Sequence, residues 1–361
     1  MFLRPILAAV LIALAGTAQA DVTATDILGR QVTLPEPAHR IVLGEGRHLS
    51  VLGLMHDDPV ALVAGWRLDK PLDPPTLDAY RAKFPAIDAI KSVGAGNRDL
   101  SVEAVIALQP DLVVLTVIDQ NDPKMTVARQ QLEAAGIPVA FVDFFSHPQE
   151  NTVPSLRILG ALTGADARAD EFVKFYESHM NRIRERLADA PRPRVFMHVH
   201  AAPVNCCSTV GPGVFHDFVT TAGGQNIGAE AVQGVLGNVS LEYLIGADPD
   251  FYIATGGTHM AARGGLVLGP QVDAEDAQAS FDKLIAAPGI SSLRAVQDGH
   301  AAGVWHLFND SPIHIVLIEY LAKTFHPDLF EDLDPMATMR QIEATFSPVE
   351  VPGSWWVTPQ Q

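Results

Sequence analysis

The sequence predicts an α/β protein of two Rossmann-like lobes, each with a parallel sheet, joined by a single long bridging helix. Three observations predict it. Short β-like runs alternate with helical patterns in both halves of the chain, as parallel strands with crossover helices require. One unit occurs twice, 139 positions apart: Ser101-Val-Glu-Ala-Val-Ile-Ala-Leu-Gln-Pro-Asp-Leu-Val-Val114 and Ser240-Leu-Glu-Tyr-Leu-Ile-Gly-Ala-Asp-Pro-Asp-Phe-Tyr-Ile253. Between the copies lies a stretch with Phe172, Phe175, Tyr176, Met180, Ile183 and Leu187 at helical spacing.

The first lobe opens at residues 21–34, which alternate around Gly29-Arg30 as a hairpin or short edge strand. Strands are expected at 40–43, 60–63, 112–116 and 139–142, and helices at 49–55, 102–108 and 126–135. The last of these is closed by Gly136 and Pro138. Residues 154–162 read as a short apolar helix and 165–187 as the bridge. The second lobe restarts with a strand at 195–199, a helix at 214–222, the repeated unit and a glycine-rich loop at 256–269. A helix at 279–286, a strand at 303–307 and a helix at 313–324 follow. Trp355-Trp356 in the tail is expected to pack back onto the body. Each repeated unit reads as a Ser N-cap, a Glu in the first turn, a short apolar helix, a Pro-Asp stop and a buried strand.

The chain of 361 residues has room for two domains, and 48% hydrophobic with 19% charged residues is globular rather than disordered. Residues 1–20 read as a secretory signal, with Arg4 as the positive start, an apolar centre and Ala18-Gln19-Ala20 as the cleavage site. The apolar run is too short to stay as a membrane span, and no Cys stands at the cleavage site to carry a lipid. The expected divisions are 21–153 for the first lobe, 154–190 for the helical bridge, 191–345 for the second lobe and 346–361 for a tail. Forty-two acidic against 25 basic residues give a net charge of −17. That disfavours nucleic acid and anionic membrane as partners, while a local Arg cluster could still take an anion. The only cysteines, Cys206 and Cys207, are adjacent. They read as two small thiols or a vicinal disulfide, and no further Cys completes a thiolate metal site.

Several segments, taken in order, resemble a known family. They are Asp26-Ile-Leu-Gly-Arg-Gln-Val-Thr-Leu-Pro35 with His39-Arg40-Ile-Val42, both repeated units, Ala222-Gly-Gly-Gln-Asn226, Pro288-Gly-Ile-Ser-Ser-Leu-Arg-Ala-Val-Gln-Asp-Gly299 and His326-Pro-Asp-Leu-Phe330. The chain resembles the periplasmic binding proteins of ABC importers for ferric siderophores, haem and cobalamin. The resemblance implies a periplasmic monomer without catalysis or cofactor, with its ligand in a cleft between the lobes. It also implies a permease dimer in the inner membrane as partner, docked through one Glu on each lobe. The matching residues are Glu103 and Glu242. A carboxylate on a rigid helix start offers a fixed acceptor for a guanidinium fork. The same Glu also complements the helix dipole, worth about 0.3–1 kcal/mol, which leaves its recurrence in two copies unexplained.

Ligands of such folds sit at strand ends facing the cleft. In the first lobe this selects Gly44-Glu-Gly-Arg47-His48, Gly65-Trp66-Arg67, Gly94-Ala-Gly96-Asn97-Arg98 and the loop at 119–121. Arg47, Arg67 and Arg98 together would make an anion site, suited to an anionic iron chelate such as a catecholate or carboxylate siderophore. Each Arg taken singly is equally a solvated loop residue. The resemblance implies ligand contact for Asn97 and Arg98.

In the second lobe, His198 and His200 alternate on one strand and would share a face. His259 lies in the glycine-rich loop, and Asn309 follows the Trp305 strand. The expected ligand contacts are thus Arg47, His48, Trp66, Arg67, Asn97, Arg98, His200, His259 and Asn309. Haem-binding members of the resembled family tend to place a Tyr, and cobalamin binders a Trp, before the first docking Glu. Residues 94–100 hold neither, which puts a ferric-siderophore-type chelate ahead, with haem and cobalamin kept as alternatives.

Three rivals are open. Capture of a bare or weakly chelated metal ion by His198, His200, the Cys pair and carboxylates would need three or four converging donors. An exported enzyme would need a motif such as Gly-x-Ser-x-Gly, His-Glu-x-x-His or a full Gly-x-Gly-x-x-Gly, and none occurs. A receptor-linked sensor would use the same Glu pair.

Overall fold

The computed structural model describes residues 21–360 apart from 69, 95–98 and 205. The expected signal, and the Asn97 and Arg98 contacts, lie outside the described residues. Among those described, no helix is long and apolar enough to cross a membrane.

In the first lobe five parallel strands lie in the spatial order Lys91–Ser92, Val63–Trp66, Ile41–Leu43, Leu112–Thr116 and Val139–Val142. Three of them, Ile41–Leu43, Leu112–Thr116 and Val139–Val142, are buried throughout, as a sheet covered on both faces demands. The chain starts at Ile41–Leu43, moves to one side and then returns to the other. The order therefore reverses between Ile41–Leu43 and Leu112–Thr116. The crevice outside the carboxyl ends of such a pair is where an open α/β sheet takes a ligand. An antiparallel hairpin, Val22–Thr25 with Gln31–Leu34, precedes the sheet. The buried Asp26 carboxylate ties them together by accepting the backbone N–H groups of Leu28, Arg30 and Phe141.

The second lobe repeats the plan. Gln225–Asn226, Arg194–His198, Phe251–Gly256 and Ala301–Trp305 are parallel neighbours, and Trp356–Val357 adds an antiparallel edge. That edge is the tail packing back onto the body. Trp355 is buried with its ring edge-on to Trp305, centroids 5.1 Å apart.

The bridging helix is Asp166–Arg186, 21 residues, or about 32 Å at 1.5 Å per residue. Ala169, Phe172, Val173, Tyr176, Met180 and Ile183 form its buried face. The Tyr176 hydroxyl lies 2.7 Å from His314 Nε2, and His179 Nδ1 lies 2.5 Å from Glu319. Both bonds hold the bridge to the second-lobe helix His314–Phe325. The helix before the bridge starts at Pro148 rather than at residue 154, and Pro154 sits inside it. Either proline could open a helix. Pro148 takes the first position, where the missing N–H is unpaired anyway, while Pro154 is on the exposed side.

Strand boundaries also move. The expected strand at 60–63 begins only at Val63, after the 3-10 turn Val60–Leu62, within which the Ala61 N–H donates to the Asp58 carboxylate at 3.1 Å. The expected strand at 303–307 ends at Trp305, two residues early.

Candidate functional site

A cavity of about 340 Å³ opens between the lobes at these strand ends. The first lobe contributes Arg47, Lys70 and Phe145; the second contributes His200, His259, His306 and Asn309, with Val214, Phe215, Val235 and Leu236 among its apolar lining.

The three imidazoles come from three adjacent parallel strands. His200 lies two residues past Arg194–His198, His259 three past Phe251–Gly256, and His306 directly follows Ala301–Trp305. His200 Nδ1 is 3.0 Å from His259 Nε2, and the His306 ring packs on that of His200 with centroids 3.9 Å apart. One hydroxyl organises two of them: Thr255 Oγ1 lies 2.8 Å from His306 Nδ1 and accepts the His200 backbone N–H at 3.1 Å. His200 has a φ of 49°, a left-handed conformation that few side-chain-bearing residues adopt and that clusters at ligand sites. Gly257 leaves room for the second ring, since a Cβ there would stand 2.8 Å from His259 Nδ1. Burial lowers the pKa of His200, helped by His259 and Arg263, and burial with Arg263 lowers that of His259. Near pH 7 both are neutral, so each ring keeps a nitrogen lone pair.

The facing wall is cationic but not bare. Arg47 Nε is 3.0 Å from Glu45, and its terminal nitrogen pairs with Asp310 of the other lobe. Lys70 Nζ is 3.2 Å from Glu45 and 3.5 Å from Asp310, and stands 4.4 Å over the Phe145 ring. Burial and the Glu45 carboxylate push Asp310 up to about 7, against the pull of Arg47 and Lys70. The neighbouring Asn309 is 7% exposed, and its buried Oδ1 has no hydrogen-bond partner. An unpaired buried acceptor costs about 1–3 kcal/mol.

Arg47, His200, His259 and Asn309, expected as ligand contacts from separate loops, thus line one cavity. The other expected contacts go elsewhere. His48 is buried against Phe144, rings edge-on at 5.5 Å. Trp66 is a core residue at 6% exposure, because its strand is covered on both faces. Arg67 is buried and turns to Asp119 at 2.8 Å. The expected convergence of Arg47 with Arg67 therefore does not form, since each guanidinium emerges beside its own buried acid. His198 and His200 do not share a face: the strand stops at His198, whose Nδ1 lies 2.6 Å from the Tyr252 hydroxyl in the core. Cys206 and Cys207 are disulfide-bonded to each other. The sequence reading missed Lys70, Phe145, His306 and Asp310. His306 was within reach, as the first residue after a strand, and was hidden by placing that strand's end two residues late.

Glu103 and Glu242 are both exposed. Their helices, Val102–Leu108 and Leu241–Ala247, are built alike. Ser101 Oγ accepts the Ala104 N–H at 3.2 Å and Ser240 Oγ the Tyr243 N–H at 3.1 Å. Each helix stops at a left-handed residue, Gln109 (φ 48°) or Asp248 (φ 40°). The Ser101 hydroxyl donates to Glu103 at 3.5 Å, while the backbone N–H of Glu242 and the Ser240 hydroxyl lower the pKa of Glu242.

The model of the family described as periplasmic binding protein matches residues 43–303. The chain belongs to that family. One relative, an uncharacterized ABC transporter substrate-binding lipoprotein of Bacillus subtilis strain 168, is 24% identical over 307 residues, covering 83% of this chain and 87% of the relative. The crystal structure of the TroA-like periplasmic binding protein FepB from Veillonella parvula matches with a TM-score of 0.86 at 27% identity, covering 94% of this chain and all of that one. The molybdate-bound periplasmic binding protein MolA of Haemophilus influenzae shares the fold, with a TM-score of 0.67 at 18% identity over 92% of this chain and 99% of that one. This periplasmic binding protein is therefore a substrate-binding protein of an ABC transporter and not an enzyme. A permease is its implied partner.

Proposed function

We propose that this periplasmic binding protein captures an anionic metal chelate of the ferric-siderophore type between its lobes. It then delivers the chelate to an ABC importer permease dimer in the inner membrane. The observation that carries the reading is the opposition of two walls: Arg47 and Lys70 on one lobe, the neutral pair His200 and His259 on the other. The cations suit the charge of the chelate. The imidazoles suit a metal with open positions. Cis donors about 2.1 Å from an octahedral metal stand about 3.0 Å apart; the two ring nitrogens, hydrogen-bonded to each other at 3.0 Å, would exchange that bond and its proton for the metal.

Two imidazoles fill two positions, so the remaining donors arrive with the metal. Among the described residues no three His, Cys, Asp or Glu side chains are disposed to hold an ion by themselves. The cavity of about 340 Å³ sits at the small end of ligand pockets, roughly 300–1,000 Å³. That favours a compact chelate over haem or cobalamin. Glu103 and Glu242 serve in this reading as the docking carboxylates, supported by their matched and exposed placement.

The test is calorimetric titration with a ferric bis-catecholate, which leaves two iron positions open, against ferric tris-catecholate, haem and molybdate. The bis-catecholate should bind most tightly, in the sub-micromolar range. Tight binding of haem or molybdate with no binding of either ferric catecholate would overturn the assignment.

A further inference from the structure

We infer that each docking carboxylate is half of a two-part anchor, completed by an exposed isoleucine one helical turn along: Ile106 with Glu103, and Ile245 with Glu242. The inference rests on the docking role proposed for the two glutamates. Its starting point is the internal repeat. From Ser101 to Val114 the two copies agree at five positions only: Ser, Glu, Ile, Pro and Asp.

Three of these identities have a structural cause. Ser101 and Ser240 cap their helices. Pro110 and Pro249 are buried at the helix stop. Asp111 and Asp250 accept the backbone N–H of Arg40 and Arg194, each binding the start of a neighbouring strand. Glu and Ile are left over, and both are exposed in both copies.

The burial pattern sharpens the point. From residue 102 to 111 and from 241 to 250 it coincides position by position, although Ala104, Val105, Ala107 and Leu108 are replaced by Tyr243, Leu244, Gly246 and Ala247. Ile106 is 42% exposed and Ile245 is 45% exposed, two of only eight large hydrophobics exposed among the described residues. An isoleucine in water gains nothing for the fold, and its burial would favour a complex. Residues three apart share a helix face, so each isoleucine stands beside its carboxylate. A branched aliphatic side chain there would exclude water from a carboxylate–guanidinium contact and so strengthen it, as the rim of an interface hot spot does.

The chemistry of the partner follows. It presents two equivalent sockets, each a guanidinium or ammonium group beside an apolar notch, at a span fixed by the bridging helix. A two-fold permease dimer meets that description, because its symmetry repeats one socket.

The experiment is binding of the full-length protein to its own ABC importer, purified from the native host into lipid nanodiscs, at several salt concentrations. Ile106→Ser with Ile245→Ser should weaken binding about ten-fold or more, with the salt dependence kept. Glu103→Ala with Glu242→Ala should weaken it and flatten the salt dependence. Leu329→Ser, an exposed hydrophobic outside the repeat, should change nothing. Wild-type binding by the isoleucine variant alongside loss in the glutamate variant would overturn the two-part anchor and leave the docking reading intact. Wild-type binding by the glutamate variant would overturn the docking reading itself. Unchanged thermal unfolding excludes a folding defect in any of the three.

Discussion

Arg47 of the first lobe and Asp310 of the second form an ion pair across the cleft. With Glu45 and Lys70 they make a cluster of two half-buried cations and two buried carboxylates that straps the lobes together. The strap also edges the ligand cavity, because Arg47 lines that cavity on one side and a smaller crevice of about 110 Å³ on the other. An anionic ligand would draw on the same guanidinium that holds Asp310.

Removing one partner of a buried pair strands the other charge. Arg47→Met should therefore destabilise the protein by about 3 kcal/mol, with Lys70 still neutralising part of the cluster. Adding Asp310→Leu should restore most of that loss. Urea unfolding of both variants measures this, and a single variant that loses less than about 1 kcal/mol would show that the cluster is not a strap.

Stability should fall as the pH drops from 6.5 towards 4. His48 and His314 are held neutral, each lowered to about 4 chiefly by burial. For His48 the carboxylates of Asp310 and Asp119 oppose the lowering while Lys70 and Arg47 add to it; for His314 the Ser311 carbonyl opposes it. The unfolded chain regains the ordinary value of 6.5 and takes up protons that the folded form refuses. The contribution is thus complete above 6.5 and is lost on the way down to the folded value, at up to about 1.4 kcal/mol per pH unit for each histidine. Asp310, raised to about 7, contributes with the opposite sign over the same range. The slope is therefore read from thermal melts of an Asp310→Asn variant, where a flat profile would contradict the burial of these rings.

Trp66→Phe should leave chelate affinity within about two-fold while lowering stability by about 1–3 kcal/mol, the signature of a core position. A large loss of affinity without a loss of stability would return Trp66 to the cleft.

Glu103→Ala with Glu242→Ala should leave chelate affinity unchanged and abolish uptake by the native host. Both carboxylates are exposed, and neither lines the cavity that holds the imidazoles. Unimpaired uptake by the double variant would remove the docking role.

The architecture was legible because it rests on local signals: alternation, one amphipathic helix, and a repeat whose Ser caps and Pro-Asp stops are short-range. The cavity was half legible. Strand-end loops pointed to Arg47, His200, His259 and Asn309, which the fold gathers together. The same rule pointed to Trp66 and Arg67, which the fold buries. Nothing local separates Gly44-Glu-Gly-Arg47 from Gly65-Trp66-Arg67. The difference lies in tertiary partners, Asp310 from the other lobe for Arg47 and Asp119 for Arg67. The helix Pro74–Lys83 went unread for a related reason, since its first turn is two prolines capped by Asp73 and its apolar face is short.

The central claim is that the two imidazoles meet a metal carried in by a chelate. It is tested most directly by the visible spectrum and iron content of the protein purified from its native host without added chelators, beside the His200→Ala, His259→Ala double variant. The account predicts one iron per chain with a ligand-to-metal charge-transfer band, an organic chelator in the extract, and a band shifted or lost in the variant. An identical band in both proteins, a haem spectrum, or iron without a chelator would contradict it.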